Sequence, residues 1–167
     1  RNYAKHAKEL GNSIPKEPVF FLKPDSAVTR EKTLYIPDFT NDLHYEVEVV
    51  IKISKIGKNI AEEFAHKYYD EIGLGVDFTA RDIQKECKEK GSALLTRTFI
   101  PKSDTNLNNL NFSITKNGES VQVGNTEDML FNVDQIIAYV SQFMTLKIGD
   151  LIFTGTPEGV GPIAIGD

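Results

Sequence analysis

The chain of 167 residues has the length of one ordinary domain. Its 19 basic and 24 acidic residues give a net charge of −5, so it lacks the positive excess that nucleic-acid backbones require. The apolar runs are too short to cross a bilayer, and the 40% hydrophobic and 26% charged residues indicate a folded globular protein. We therefore expect no nucleic-acid partner and no membrane span.

Cysteine content and the two ends of the chain bear on compartment and domain organisation. Cys87 is the single cysteine, so no internal disulfide forms, and the charges around it predict an incidental thiol on a helix face. A polar, charged start with no signal peptide adds to a prediction of a cytoplasmic protein. The start without Met and the final Ile-Gly-Asp, which repeats residues 148–150, predict a single domain over residues 1–167 that is truncated at both ends.

The first part of the chain predicts short helices and strands in irregular order. Apolar residues at helical spacing before Gly11 predict a helix over residues 2–10. Two short apolar runs bounded by prolines predict strands at residues 19–22 and 33–36, the first of them buried.

Residues 43–53 form the clearest predicted strand. Apolar side chains fill one parity of the alternation, and polar or acidic side chains dominate the other. Because side chains of a strand alternate between its faces, Glu46 and Glu48 lie on the same face. An amphipathic helix near residues 60–68 and a strand at residues 72–76 follow.

The second half of the chain adds strands and two further helices. Thr79 and Asp82 match a capping pattern that predicts a helix over residues 79–90, ended by Gly91. The later elements are strands near 93–100, 109–115 and 119–123, a hairpin turn at Asn117-Gly118, a helix near 133–144, a strand at 151–153 and a glycine-rich loop over 154–161. Seven or eight strands and four short helices without βαβ alternation favour an α+β, mainly β fold.

Three acidic residues could form a metal site. Glu46 and Glu48 repel each other on one strand face unless a cation lies between them, and Asp77 follows a glycine-containing strand. Three carboxylates suit Mg²⁺ or Mn²⁺, which keep open positions for water and substrate. The alternatives are ordinary surface acids at Glu46 and Glu48 and a helix-capping role for Asp77.

Further pairs of polar residues stand at helical spacing. His6 and Glu9 share one helix face, so the carboxylate can hold the imidazole in the tautomer that accepts a proton, although a plain surface pair fits the spacing as well. Arg81 and Gln84 open the helix after Asp77 and could reach a carboxylate and a carbonyl of a ligand there, or could lie on a solvated face. The loop over residues 154–161 lacks the lysine of a phosphate loop, but its backbone N–H groups can hold an anion.

Taken together, these residues resemble the fumarylacetoacetate hydrolase family, and especially its small acylpyruvate hydrolase-like members. The resemblance covers nearly the whole chain in family order. The matching pieces are Arg1-Asn-Tyr-Ala-Lys-His6 with Glu9, Phe21-Leu-Lys-Pro24, His44-Tyr-Glu-Val-Glu48, Asp77-Phe-Thr-Ala-Arg-Asp-Ile-Gln84 and Thr154-Gly-Thr-Pro-Glu-Gly-Val-Gly-Pro162.

The resemblance implies a mixed β-sandwich roll that assembles as a homodimer. It implies Mg²⁺ or Mn²⁺ bound by Glu46, Glu48 and Asp77, and a water-activating dyad of His6 and Glu9 on a lid segment. It further implies that the substrate is contacted by Arg81, Gln84 and Thr156.

One departure from the family pattern concerns the residues after Gly91. Family members usually carry an extra stretch there that includes a substrate-binding lysine, whereas here Gly91 runs directly into Ser92. Either the protein has a deletion at this point, or a loop is missing from the given chain. We therefore assign no active-site lysine from the sequence.

The resemblance implies a metal-dependent hydrolase that cleaves a carbon–carbon bond in acylpyruvates, which are small 2,4-diketo acids, to give pyruvate and a carboxylic acid. The same chemistry would serve oxaloacetate decarboxylation or oxaloacetate keto–enol tautomerisation, and the sequence does not separate these. The alternative of another class is a non-catalytic β module whose acids hold a structural cation, with every coordination position closed by protein ligands.

Overall fold

The computed structural model describes the backbone of residues 1–86 and 93–167, and the side chains of the chain outside residues 86–98 and 104. Four α-helices are found in this part: α1 (Ala4–Glu9), α2 (Glu62–Ala65), α3 (Arg81–Glu86) and α4 (Val133–Phe143). Eight strands are found there: β1 (Leu43–Tyr45), β2 (Val47–Ile53), β3 (Tyr69–Ala80), β4 (Ala93–Pro101), β5 (Asn111–Lys116), β6 (Glu119–Asn125), β7 (Leu151–Phe153) and β8 (Gly161–Pro162). The predicted α+β, mainly β fold is confirmed.

Two sheets make up the strand structure. Six strands form one sheet in which β7, β2, β3, β1 and β8 follow in that order and β4 pairs with β3, while β5 and β6 form a separate hairpin. Every strand pair assigned among the described residues is antiparallel. No helix in this part of the chain is long and apolar enough to cross a membrane.

The core lies between one face of the large sheet, the hairpin and α4. β2 supplies alternate side chains to it, hairpin residue Phe112 packs against them, and α4 adds its apolar stripe. The buried residues of β2 and α4 in this cluster are Val47, Val49, Ile51, Ile53, Val133, Ile136, Ile137 and Val140. The side chains between these on β2, among them Glu48, consequently point away from the core.

The sharp local signals of the sequence are present in the structure. The helix predicted over residues 133–144 is α4, and Asn132 and Gln135 form a reciprocal capping box at its start. Asn117 and Gly118 have φ angles of 52° and 84°, as the two-residue hairpin turn between β5 and β6 requires.

The two strands predicted at residues 19–22 and 33–36 are wrong. Val19, Phe21 and Leu22 are 56%, 58% and 69% exposed, and no ladder includes either segment. Pro18 and Pro24 flank the first segment, and proline cannot donate to a ladder, so an apolar run is by itself insufficient for a strand here.

Long-range pairing also overrides two predicted helices. Thr79 pairs with His44 as part of β3, so it does not cap the following helix, which begins at Arg81. The predicted continuation of this helix beyond residue 86 lies outside the described residues, as do Cys87 and the point between Gly91 and Ser92. The helix predicted near residues 60–68 shrinks to α2, because Ala61 has an extended backbone before it and the chain enters β3 at Tyr69.

Candidate metal centre

The register between β3 and the strands beside it brings the three acids together. β1 and β2, as far as Lys52, pair with β3 in one register, and the carbonyl oxygen of Glu46 between them accepts a hydrogen bond of 2.8 Å from the Asp77 backbone N–H. Glu46 is therefore opposite Asp77, where side chains share a face. Glu48 is opposite Gly75, which has no side chain to fill the space beside the carboxylate.

The three carboxylates form one buried cluster. One oxygen from each of Glu46, Glu48 and Asp77 lies within 4.8 Å of the others, and all three residues are buried. Three convergent oxygen donors are the ligand set that Mg²⁺ and Mn²⁺ take from proteins. The arrangement therefore fits a divalent cation, as the sequence pattern predicts.

Burial sets the electrostatics of this cluster. Desolvation, and then the neighbouring carboxylates of Asp77 and Glu46, raise the pKa of Glu48 to about 8, against a hydrogen bond from the Gly155 backbone N–H. Desolvation also raises the pKa values of Glu46 and Asp77, against the positive charges of Arg81 and Lys23 respectively. A bound cation would stabilise the ionised forms of the three carboxylates and offset the cost of burying them. This is a second reason why the cluster fits a metal ion.

Two basic side chains flank the acids. The Arg81 guanidinium donates to Glu46 and, over 2.8 Å, to the side-chain oxygen of Gln84. The Lys23 ammonium donates to Asp77, and the side chain of this lysine is only 11% exposed although its chain neighbours are exposed. The predicted substrate residues Arg81 and Gln84 thus lie beside the acids.

The predicted dyad forms on α1. His6 is 5% exposed, and its Nδ1 lies 3.2 Å from a carboxylate oxygen of Glu9. Desolvation lowers the pKa of His6, Glu9 opposes this shift, and the charge of Arg81 adds to it. His6 is therefore neutral near pH 7, with Nδ1 facing Glu9, and Nε2 is left as the nitrogen that can take a proton.

The loop after β7 ties the dyad to the acids. The Gly155 backbone N–H donates to Glu48 over 2.7 Å, and the Gly159 backbone N–H donates to Glu9 over 3.1 Å. Both glycines have positive φ angles, 102° and 94°. A Cβ on Gly155 would lie 2.8 Å from the Cβ of Asn2, so only glycine lets the loop approach the start of the chain this closely.

Thr156 lies deeper than its predicted substrate role requires. It is 2% exposed, its hydroxyl donates to the Val47 carbonyl oxygen over 2.9 Å, and it accepts from the Gln122 amide over 2.9 Å. The structure thus places Thr156 beneath the acids, where it contacts β2. Its contact with substrate stays a prediction.

The sequence pattern missed Lys23 and Gln122. Lys23 belongs to a matched family segment, but an isolated lysine between apolar residues carries no periodic signal. Gln122 lies in a hairpin strand whose apolar parity is Val121 and Val123, so the alternation predicts an exposed glutamine, whereas the structure buries Gln122 and leaves Val123 65% exposed.

Comparison with known proteins places this geometry in context. The family described as fumarylacetoacetate (FAA) hydrolase C-terminal matches residues 1–167. A mitochondrial oxaloacetate tautomerase of Arabidopsis thaliana is 42% identical over 182 residues, covering 99% of this chain and 80% of that protein. A mitochondrial oxaloacetate decarboxylase of Dictyostelium discoideum is 44% identical over 179 residues, covering 99% of this chain and 82% of the relative.

A solved structure shows the same arrangement of the chain. The fumarylpyruvate hydrolase of Pseudomonas aeruginosa, crystallised with Mn²⁺ and pyruvate, superposes with a TM-score of 0.92 at 34% identity and covers 99% of this chain and 78% of that one. Sequence and fold agree over nearly the whole length, so the chain belongs to the fumarylacetoacetate hydrolase family.

Proposed function

We propose that the protein is a divalent-metal-dependent enzyme that interconverts the keto and enol forms of oxaloacetate. The observation that carries this proposal is the buried cluster of Glu46, Glu48 and Asp77, with Arg81 bonded to Glu46 and near enough to the neutral His6 to lower its pKa. Relatives about 40% identical that are named oxaloacetate tautomerases support the choice of substrate and reaction.

The acids and the basic residues bind the 2-keto acid in this proposal. A divalent cation held by the three carboxylates supplies electrostatic stabilisation of negative charge on the keto-acid oxygens. Arg81 is suited to the substrate carboxylate, since its guanidinium is a rigid fork of donors. Gln84, held by Arg81, presents its amide beside the same position, and Lys23 adds a second positive charge there.

His6 moves the proton. Tautomerisation breaks one C–H bond next to the keto group and forms one O–H bond on the keto oxygen, so a single group that accepts and then donates a proton is sufficient. Neutral His6 takes the carbon-bound proton at Nε2, Glu9 holds the imidazolium through Nδ1, and His6 then gives a proton to oxygen. The reverse sequence regenerates the keto form.

A second candidate is hydrolysis of acylpyruvates to pyruvate and a carboxylic acid. The observation that favours it is the likeness to a fumarylpyruvate hydrolase solved with Mn²⁺ and pyruvate. In that reaction His6 takes a proton from water, which attacks the distal carbonyl carbon. The bond from that carbon to the neighbouring CH₂ group then breaks, its electron pair leaves as the enolate of pyruvate, and His6 returns the proton to the CH₂ carbon. Oxaloacetate decarboxylation, the activity in the name of the Dictyostelium relative, needs no water and releases pyruvate.

One assay series separates these reactions. Enol oxaloacetate and a simple acylpyruvate are each mixed with the protein plus Mn²⁺ or plus chelator, and enol absorbance and pyruvate are followed together. We expect Mn²⁺-dependent loss of oxaloacetate enol absorbance beyond the spontaneous rate, without pyruvate. Pyruvate from oxaloacetate would instead establish the decarboxylase, and pyruvate from the acylpyruvate the hydrolase.

Glu48→Gln tests the site in the same assay. The amide keeps the size of the side chain but removes one of three anionic ligands, so we expect Mn²⁺ affinity and turnover to fall about 10-fold or more. The matched control is Glu71→Gln on β3, which removes a half-exposed partner of Lys52 and should leave both unchanged. Mn²⁺ binding without turnover of any substrate would favour the cation-binding module instead.

Assembly and location complete the proposal. We propose a homodimer, as the family resemblance implies, and light scattering on the purified protein at micromolar concentration measures the mass directly.

The cytoplasmic location stays a prediction, because the curated relatives include proteins named as mitochondrial. Fractionation of cells that express the full-length gene product decides between the two compartments.

A further inference from the structure

We infer that Gln122 is a positioning residue that sets the spacing and direction of the Glu46 and Glu48 carboxylates. Gln122 lies on β6, outside the sheet that carries the acids, and is 1% exposed. The inference rests on the metal site of the proposed function and is independent of the substrate.

The side-chain amide of Gln122 has all of its hydrogen-bonding groups engaged. Its oxygen accepts a hydrogen bond of 2.9 Å from the Val47 backbone N–H. Its nitrogen donates to the Thr156 hydroxyl over 2.9 Å and to the Pro157 carbonyl oxygen over 3.0 Å. A fully satisfied buried amide of this kind is rigid, since each alternative rotamer would leave buried polar groups unpaired.

These bonds reach both peptide groups between the two acids. The Val47 N–H belongs to the peptide group after Glu46, and the Val47 carbonyl belongs to the peptide group before Glu48. Gln122 holds the first directly and the second through Thr156, whose hydroxyl donates to the Val47 carbonyl oxygen over 2.9 Å. The two α-carbons that carry the metal-facing carboxylates are therefore joined by peptide planes that Gln122 fixes.

Strand pairing supports these peptide groups from the β3 side alone, where the Asp77 backbone N–H donates to the Glu46 carbonyl oxygen. On the opposite side, β7 pairs with β2 only from Val50 to Lys52. In the loop beyond β7, the Thr154 backbone N–H and hydroxyl both donate to the Val49 carbonyl oxygen, and the Thr156 hydroxyl donates to the Val47 carbonyl oxygen. Gln122 anchors that loop from the opposite sheet at Thr156 and Pro157. The glutamine thus acts where the regular ladder of this sheet edge has ended.

The test is the Mn²⁺ affinity of purified protein, with Mn²⁺ alone as the probe. Gln122→Met keeps the length and burial of the side chain but removes all three hydrogen bonds, and we expect Mn²⁺ binding to weaken about 10- to 100-fold. The matched control is Gln135→Met, which removes a glutamine of the α4 capping box and should change Mn²⁺ affinity less than twofold. Binding is read by titration calorimetry and by the electron paramagnetic resonance spectrum of bound Mn²⁺, which reports ligand geometry.

Thr156→Val keeps the test decisive if Gln122→Met does not fold. It removes the hydroxyl that connects Gln122 to the Val47 carbonyl, so it should weaken Mn²⁺ binding and alter the same spectrum. If both variants fold, their combined effect should be smaller than the product of the single effects, because both act through Val47.

A folded Gln122→Met variant with wild-type Mn²⁺ affinity and spectrum would overturn the inference, as would an unaltered Thr156→Val. Wild-type protein that binds Mn²⁺ but converts no keto acid would defeat the proposed function and leave this inference standing. Wild-type protein that binds no Mn²⁺ would defeat both.

Discussion

Glu48 lies at the centre of the electrostatics of the site. Glu46 has Arg81 and Asp77 has Lys23 as a charged partner, whereas Glu48 accepts a backbone hydrogen bond from Gly155. A neutral N–H offsets less of the cost of a buried charge than a cation does. Glu48 is accordingly the acid that should hold a proton in the metal-free site and release it when a metal ion binds.

Metal-free stability should fall as the pH rises. The pKa of Glu48, raised to about 8 by burial and then by Asp77 and Glu46, exceeds its value of 4.5 in the unfolded chain. The folded state therefore holds a proton that the unfolded state releases, so this contribution to stability is full below pH 4.5 and is lost as the pH rises through about 8. In chelator, the melting temperature of the wild type should fall relative to that of Glu48→Gln between pH 6 and pH 8.5.

Mn²⁺ should reverse that trend. The ion competes with the proton on Glu48, so its stabilising effect should be larger at pH 8.5 than at pH 6. Thermal melts with saturating Mn²⁺ at the two pH values measure this. A melting temperature that Mn²⁺ raises equally at both would contradict the protonation of Glu48 in the metal-free protein.

His6 should titrate below its ordinary range. Burial lowers the pKa of His6 and Glu9 opposes that shift, so Glu9→Gln should lower the pKa further. The imidazole resonances of His6, followed by NMR from pH 4 to pH 8, check this in both proteins. An increase in the His6 pKa in Glu9→Gln would refute the pairing.

At the scale of elements, α1 depends on contacts outside itself. The helix has six residues, too few to be stable in isolation, and no side chain caps its start. Asn2 attaches it: the side-chain oxygen accepts from the Phe131 N–H over 2.8 Å, and the side-chain nitrogen donates to the Phe131 carbonyl oxygen over 2.9 Å. Asn2 thus holds the segment that carries His6 and Glu9.

Asn2→Ala should reduce activity more than its effect on stability explains. It leaves the two Phe131 groups unpaired, at about 1–3 kcal/mol, and lets His6 move, which can lower turnover up to about 100-fold. Amide hydrogen exchange should become faster over residues 4–9. The control Asn132→Ala removes the α4 cap at about 1 kcal/mol and should leave turnover unchanged. Equal loss of turnover in both variants would contradict this role of Asn2.

At the scale of the whole molecule, the sequence predicts what short-range patterns encode. The alternation at residues 43–53 places Glu46 and Glu48 on one face, and the spacing of His6 and Glu9 gives the dyad, because both patterns act within one element. The position of Asp77 directly after a glycine-containing strand adds it to the acids, and the family resemblance implies the same ligand. The register that sets Asp77 opposite Glu46 is a property of strand pairing, which local sequence does not specify.

The rest of the site depends on distant parts of the chain. Lys23 meets Asp77 across 54 residues, and Gln122 meets Val47 across 75. No sequence periodicity connects positions so far apart. The apolar composition of residues 19–22 favours a buried strand, whereas the structure has an exposed segment there. The exposed hydrophobic side chains there and the half-buried Lys23 follow from the contact of that segment with Asp77, which only the fold determines.

The loop after β7 has a consequence for how the protein is made. The backbone N–H of Gly155, which donates to Glu48, is synthesised 107 residues after it, and the N–H of Gly159, which donates to Glu9, is synthesised 150 residues after it. At about 5–20 residues per second, a ribosome needs roughly 5 to 21 seconds to synthesise the 107 residues that separate Glu48 from its backbone donor. During that interval the acids and the dyad emerge without the loop that joins them, so the nascent chain should acquire its metal late, when synthesis has passed the final glycines of the site.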